Sequence, residues 1–87
     1  MNPIDTLNLD FRALSTFLAV LDEGSVSRAA VRLGVSQSAV SHTLDRLRQA
    51  LGDALFVKSG RGIVPTRYAL QAGPHIRQIL DDLHSLS

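Results

Sequence analysis

The sequence predicts a mainly α fold of four helices, with a β-hairpin between the third and the fourth. Three observations predict it. Apolar residues recur at helical spacing in three successive segments, closed in turn by Gly24, Gly34 and Gly52. From Leu55 to Val64 the composition turns to β-favouring residues around the glycine-rich KSGRG. Beyond Thr66, small and apolar residues repeat at alternating spacings of three and four. Two short helices joined by a glycine-containing turn, followed by a hairpin and a long helix, form a winged helix-turn-helix.

The elements follow in order. Residues 1–8 read as a loose lead-in with Pro3 and Asn8. From about Leu9, the positions Phe11, Leu14, Leu18 and Leu21 mark one helical face, widened by Phe17 and Val20, with Asn8 or Asp10 placed to cap the start. Ser25 caps a short second helix that turns Ala29, Ala30 and Leu33 inward and Arg28 and Arg32 outward. After only Gly34, Val35 and Ser36 a third helix begins, with Val40, Leu44, Leu47 and Leu51 on its buried face. Ala39 is small enough to pack closely on the second helix, and Ser38, Ser41, His42, Asp45 and Gln49 occupy the opposite face. Leu55, Phe56 and Val57 then favour one strand and Ile63 and Val64 a second. Lys58 and Arg61 lie at the tip, and Pro65 limits the second strand to an edge.

Thr66 caps the fourth helix, which runs to about Leu86 and is about 30 Å long at ~1.5 Å per residue. Ala69, Ala72, Ile76, Ile79, Leu83 and Leu86 have the period of a coiled-coil seam. Pro74, which cannot donate to the carbonyl of Leu70, predicts a bend. The chain therefore divides into a winged helix-turn-helix over residues 1–66 and a linker and dimerisation helix over residues 67–87. An exposed heptad stripe on so small a unit needs a partner, and a second copy meets that need.

The 87 residues suffice for one domain with a modest core. Cysteine is absent, which excludes disulfides, thiolate metal sites and thiol catalysis and fits a reducing compartment. No signal-peptide pattern and no apolar run of about 20 residues is present, so a cytoplasmic protein that does not cross a membrane is expected. The net charge of +1 is unevenly spread. Residues 1–24 sum to −3, residues 25–52 to +3 through Arg28, Arg32, Arg46 and Arg48 against Asp45, and residues 53–66 to +1. The helix-turn-helix segment thus carries a positive face.

That face explains why the third helix opens with Ser36, Gln37, Ser38, Ser41 and His42. The second helix of such a motif enters the major groove of duplex DNA, N-terminus first. Side chains reading the groove edge must be polar, and those near the axis short. Gln pairs bidentately with adenine, and Ser meets a base or a phosphate. Gln37, Ser38, Ser41 and His42 are the expected base contacts. Ser25, Arg28, Arg32, Ser36, Arg46, Lys58, Arg61 and Thr66 are the expected phosphate and wing contacts, Ser36 reading first as a plain N-cap. His42 with Asp45 suggests catalysis only superficially, because both project from one helix surface with no oxyanion site implied. His75 and His84 read as exposed residues of the last helix. Without a nucleophile–base pair, metal cluster or phosphate loop, no enzymatic role and no cofactor is expected. A protein-interaction module docking a partner through the heptad helix is the alternative.

The combination of Phe17, Gly24-Ser25, Ala29-Ala30, Leu33, Ser36-Gln37, Ala39-Val40-Ser41, Leu44, Leu47, Gly52, Leu55-Phe56 and Thr66 resembles the DNA-binding domain of LysR-type transcriptional regulators, over residues 9 to 86. The resemblance departs where that family commonly has Pro (Ser38), a longer basic residue (His42), Glu (Arg48) and Ala-Gly (Arg67-Tyr68). The departures at Ser38 and His42 bear on base preference rather than fold. The resemblance implies a dimer through the fourth helix, assembly to tetramers in the full-length parent, and two recognition helices in successive major grooves of an interrupted palindrome. It also implies a C-terminal ligand-binding domain of periplasmic-binding-protein type, lacking here, so that a truncated chain is expected.

Overall fold

Each helix of the structure, a computed structural model describing residues 9–86, starts at a short side-chain oxygen. The expected lead-in over residues 1–8 lies outside the described residues. Helix α1 spans Phe11–Glu23, α2 Val26–Leu33, α3 Gln37–Leu51, β1 Phe56–Ser59, β2 Gly62–Pro65 and α4 Arg67–Ser85. Oδ1 of Asp10 accepts from the Ala13 N–H at 2.8 Å, and the hydroxyls of Ser25, Ser36 and Thr66 accept from Arg28, Ala39 and Ala69 at 3.2, 3.0 and 3.1 Å. Each such cap contributes about 1 kcal/mol. The first three helices end at Gly24, Gly34 and Gly52, whose φ angles of 65°, 70° and 67° lie in the left-handed region open to glycine. After α2, the Val35 N–H donates back to the Ala30 carbonyl at 3.0 Å, which fixes the sharp turn into α3.

Helix α1 is the centre of the core. It packs against α2, α3 and α4, and Phe17 and Val20 are wholly buried with Val40, Leu44, Leu47 and Leu55. The Phe17 and Phe56 rings lie 5.5 Å apart and join the wing to this core. β1 and β2 pair antiparallel from Phe56 opposite Pro65 to Ser59 opposite Gly62, leaving Gly60 and Arg61 at the tip.

The structure corrects several expectations. Phe11 is exposed at the first position of α1, where its ring meets the edge of His84 at 5.6 Å. Ala39 is exposed, because it lies on the flank of α3 beside an open cleft rather than beneath α2. Helix α4 continues through Pro74. Beside it, a Cβ on Gly73 would come within 2.7 Å of Leu21 Cδ2, so the glycine lets α4 lie close against α1.

Leu55 is no strand residue. Its φ of 66° makes it the one non-glycine in the left-handed region among the described residues. Such a conformation costs about 1–3 kcal/mol, which burying a leucine side chain, at about 1.5–3 kcal/mol, offsets; Leu55 is completely buried. Three side chains fix the bend. Oδ2 of Asp53 accepts from the Leu55 N–H at 2.8 Å and from the Thr66 hydroxyl at 2.7 Å, and Arg48 Nε donates to the Ala54 carbonyl at 2.8 Å. The Thr66 N–H closes the junction on the Leu55 carbonyl at 2.9 Å. Asp53→Ala leaves both Asp53-bound donors without their acceptor and is expected to cost about 1–2 kcal/mol in urea denaturation. An unchanged midpoint would show that the carboxylate does not hold the wing to α4.

Candidate nucleic-acid interface

The turn over Gly34, Val35 and Ser36 sets α3 against α2 so that one face of its first two turns packs into the core through Val40 and Leu44 and the opposite face stands in solvent. At about 100° per residue, His42, Ser38, Asp45 and Gln49 lie opposite the buried Val40, Leu44 and Leu47. Ser41 and Gln37 lie on the flank between. Gln37, Ser38, Ser41 and His42 are all exposed and make no side-chain hydrogen bond to another described residue. Gln37 turns toward α2, lining a shallow depression of about 410 Å³ with Ser27, Arg28 and Val31. The hydroxyl of Ser36 is occupied as the cap of α3, as is that of Ser25 in α2.

The expected phosphate contacts divide by their partners. Arg28 on α2 and Lys58 and Arg61 on the wing are exposed and make no ion pair with a described residue. Arg46 reaches Asp10 only at 4.0 Å. Arg32 is engaged, with Asp22 at 3.2 Å and Glu23 at 3.4 Å, while the second oxygen of Asp22 accepts from Arg77 at 2.6 Å. Exposed pairs of this kind contribute little energy, below about 1 kcal/mol each, but they orient: one carboxylate ties α2 and α4 to the end of α1. The Thr66 hydroxyl is spent on Asp53, so its place is inside the wing junction. Asp45 pairs with Arg48 at 2.8 Å, which masks its negative charge on the polar face of α3.

The expected seam on α4 is split. Ala69 and Ile76 are buried with Leu80 in the core shared with α1, whereas Ile79, Leu83 and Leu86 are exposed. The exposed edge continues through Tyr68 and His75 rather than Ala69 and Ile76. Beside it runs an apolar groove of about 580 Å³ lined by Leu9, Leu14, Leu51, Tyr68, Ala72 and Ile79. Sequence reasoning missed Asp53 and the Asp22 hub. An Asp directly after the helix-ending Gly52 is a turn signal that pointed to the first; the second joins residues too far apart in the chain for any local signal.

Residues 11–70 match the family described as bacterial regulatory helix-turn-helix protein, lysR family. The chain belongs to that family. Among LysR-type proteins, it is 46% identical over 72 residues to the transcriptional regulator LeuO of Escherichia coli strain K12, covering 83% of this chain and 23% of LeuO. The probable transcriptional regulator PA0477 from Pseudomonas aeruginosa is similar in structure, with a TM-score of 0.84 at 36% identity, over 97% of this chain and 28% of that one. The DNA-binding domain of CbnR, solved as a complex with DNA, has a TM-score of 0.84 at 34% identity over 88% of each chain. This is a LysR-type helix-turn-helix DNA-binding domain, with the winged fold of that family. The chain spans about a quarter of the length of the curated LysR-type relatives it matches. No helix of the described residues is long and apolar enough to cross a membrane.

Proposed function

We propose that this domain reads a specific duplex DNA sequence as a homodimer, within a longer transcription regulator of the bacterial cytoplasm. The observation that carries the reading is the row of short polar side chains on the first turns of α3, exposed and without internal partners, between the free cations of α2 and of the wing. Gln37, Ser38, Ser41 and His42 face the base edges. Arg28, Lys58 and Arg61 take phosphates. Arg32 joins them only by leaving Asp22 and Glu23, and Ser25, Ser36 and Thr66 contribute by fixing the starts of three helices. The second copy covers the exposed apolar edge of α4, where Tyr68, Ile79, Leu83 and Leu86 would otherwise stay in water.

Fluorescence anisotropy on duplexes selected from a randomised pool, against scrambled duplexes, tests this at several salt concentrations. Tight, salt-steep binding that prefers the selected set supports the reading, and binding without preference overturns it. Arg61→Ala is expected to weaken selected and scrambled duplexes alike and to lower the slope of log K against log salt by about 0.9. An unchanged slope would remove Arg61 from the phosphate contacts. Replacing Ile79 and Leu83 with serine is expected to leave a folded monomer in sedimentation equilibrium.

A further inference from the structure

On the far side of α3 from the wing, a cleft of about 1000 Å³ opens between α3 and the start of α1, with Arg12, Ser15, His42, Thr43 and Arg46 among its walls and Asp10 at its edge. It contains an unsatisfied donor. Arg46 Nε is buried and has no hydrogen-bond partner, and its Nη2 reaches Asp10 only at 4.0 Å. The other oxygen of Asp10 is spent on capping α1. Arg12 is exposed and makes no ion pair with a described residue. Two guanidinium groups against one carboxylate leave the cleft one charge positive, which suits a singly charged anion. A guanidinium fork and neighbouring hydroxyls are the donors that phosphate oxygens take.

The placement says which anion. Arg46 and Arg48 lie about 160° apart around α3, at 3.6 residues per turn. Arg48 turns to Ala54 at the base of the wing, so Arg46 faces away from it. His42 lies between them on the outermost face and also lines the cleft. A helix seated in a major groove about 12 Å wide has a phosphate backbone on each side. The wing with Lys58 and Arg61 covers one backbone. We propose that the cleft receives a phosphodiester of the other, with Arg46 and Arg12 as charged donors and Thr43 and Ser15 as neutral ones. This rests on the DNA-reading function above, and it adds Arg12, Thr43 and Ser15 to the contacts.

The test is the salt dependence of anisotropy on selected and scrambled duplexes for wild type, Arg46→Gln, Arg12→Gln and Arg77→Gln. Arg46→Gln and Arg12→Gln are each expected to lower the slope by about 0.9 on both sets, so that a fourfold rise in salt costs each variant about 3.5-fold less affinity than it costs wild type. Arg77→Gln, which removes the same charge from an ion pair on α4, is expected to leave the slope unaltered. Should Arg46→Gln fold poorly, the exposed Arg12 and a duplex with single phosphates replaced by neutral methylphosphonates answer the same question. Wild-type slopes in both cleft variants would overturn the cleft contact and leave DNA reading intact. A wild type without salt-dependent binding would overturn both.

Discussion

Leu47→Ala is expected to cost about 2–5 kcal/mol in urea denaturation. The whole stability of an 87-residue domain, at roughly 0.05–0.15 kcal/mol per residue, is about 4–13 kcal/mol. The substitution therefore leaves a substantial unfolded fraction at ordinary temperature. Leu47 has no exposed surface, and of the wholly buried side chains of its core that lie outside α3, Phe17 and Val20 belong to α1 and Leu55 to the wing junction. Those elements are held by caps, by the Asp53 junction and by the Phe17–Phe56 contact, so they cannot collapse freely into the space left behind. The cavity term consequently adds to the lost transfer energy. DNA affinity should fall with the folded fraction and return when a stabilising osmolyte restores it. A loss below about 1 kcal/mol would mean that α3 presents a different face to the core.

Gln37→Ala should behave in the opposite way: the fold is kept and discrimination is lost. Gln37 is exposed at the first position of α3, and alanine is at least as good a helix former. Its amide is the only side chain among the four expected base contacts able to donate and accept in a bidentate pair with adenine. Removing it is expected to weaken preferred sites by about 1–3 kcal/mol while leaving random duplexes nearly unaffected. Competition anisotropy with both duplex sets measures this. Equal loss on both would show that Gln37 holds the backbone and does not choose the sequence.

The parts of the fold that were legible in the sequence are those with local causes. A capping oxygen and the N–H it serves are three residues apart, and the glycine that ends a helix follows it directly, so the starts at Ser25, Ser36 and Thr66 and the stops at Gly24, Gly34 and Gly52 could be read one by one. The seam could not. A three-and-four period states that α4 has an apolar stripe but not which part its own core consumes. Because α1 lies along α4, Ala69 and Ile76 went inward and Leu80, outside the periodic pattern, joined them. Leu55 has strand composition, and only Asp53, Arg48 and Thr66 together turn it out of the strand. Charge placement was legible and charge pairing was not. Arg28 and Arg32 look alike in sequence, yet only Arg32 meets the carboxylates of Asp22 and Glu23. In the same way, nothing local connects Arg12 with Arg46 across 34 positions, although one cleft holds both.

The antiparallel seating of α4 along α1 has a mechanical consequence. Gly73 meets Leu21, Arg77 meets Asp22 and His84 meets Phe11, so the long helix is fastened through its middle and near its C-terminal end, and the Thr66 hydroxyl on Asp53 holds its start. It cannot work as a hinge. In the proposed DNA-bound dimer the domain would act as a lever, its handle the apolar edge of α4 and its working end the first turn of α3. Its longest dimension is 38 Å, so a rigid-body rotation of about 5° imposed at the handle moves the far end by about 3 Å. That displacement is close to the rise between neighbouring base pairs, about 3.4 Å along one strand. In that dimer a small tilt between the two levers would be enough to bring a half-site into or out of step.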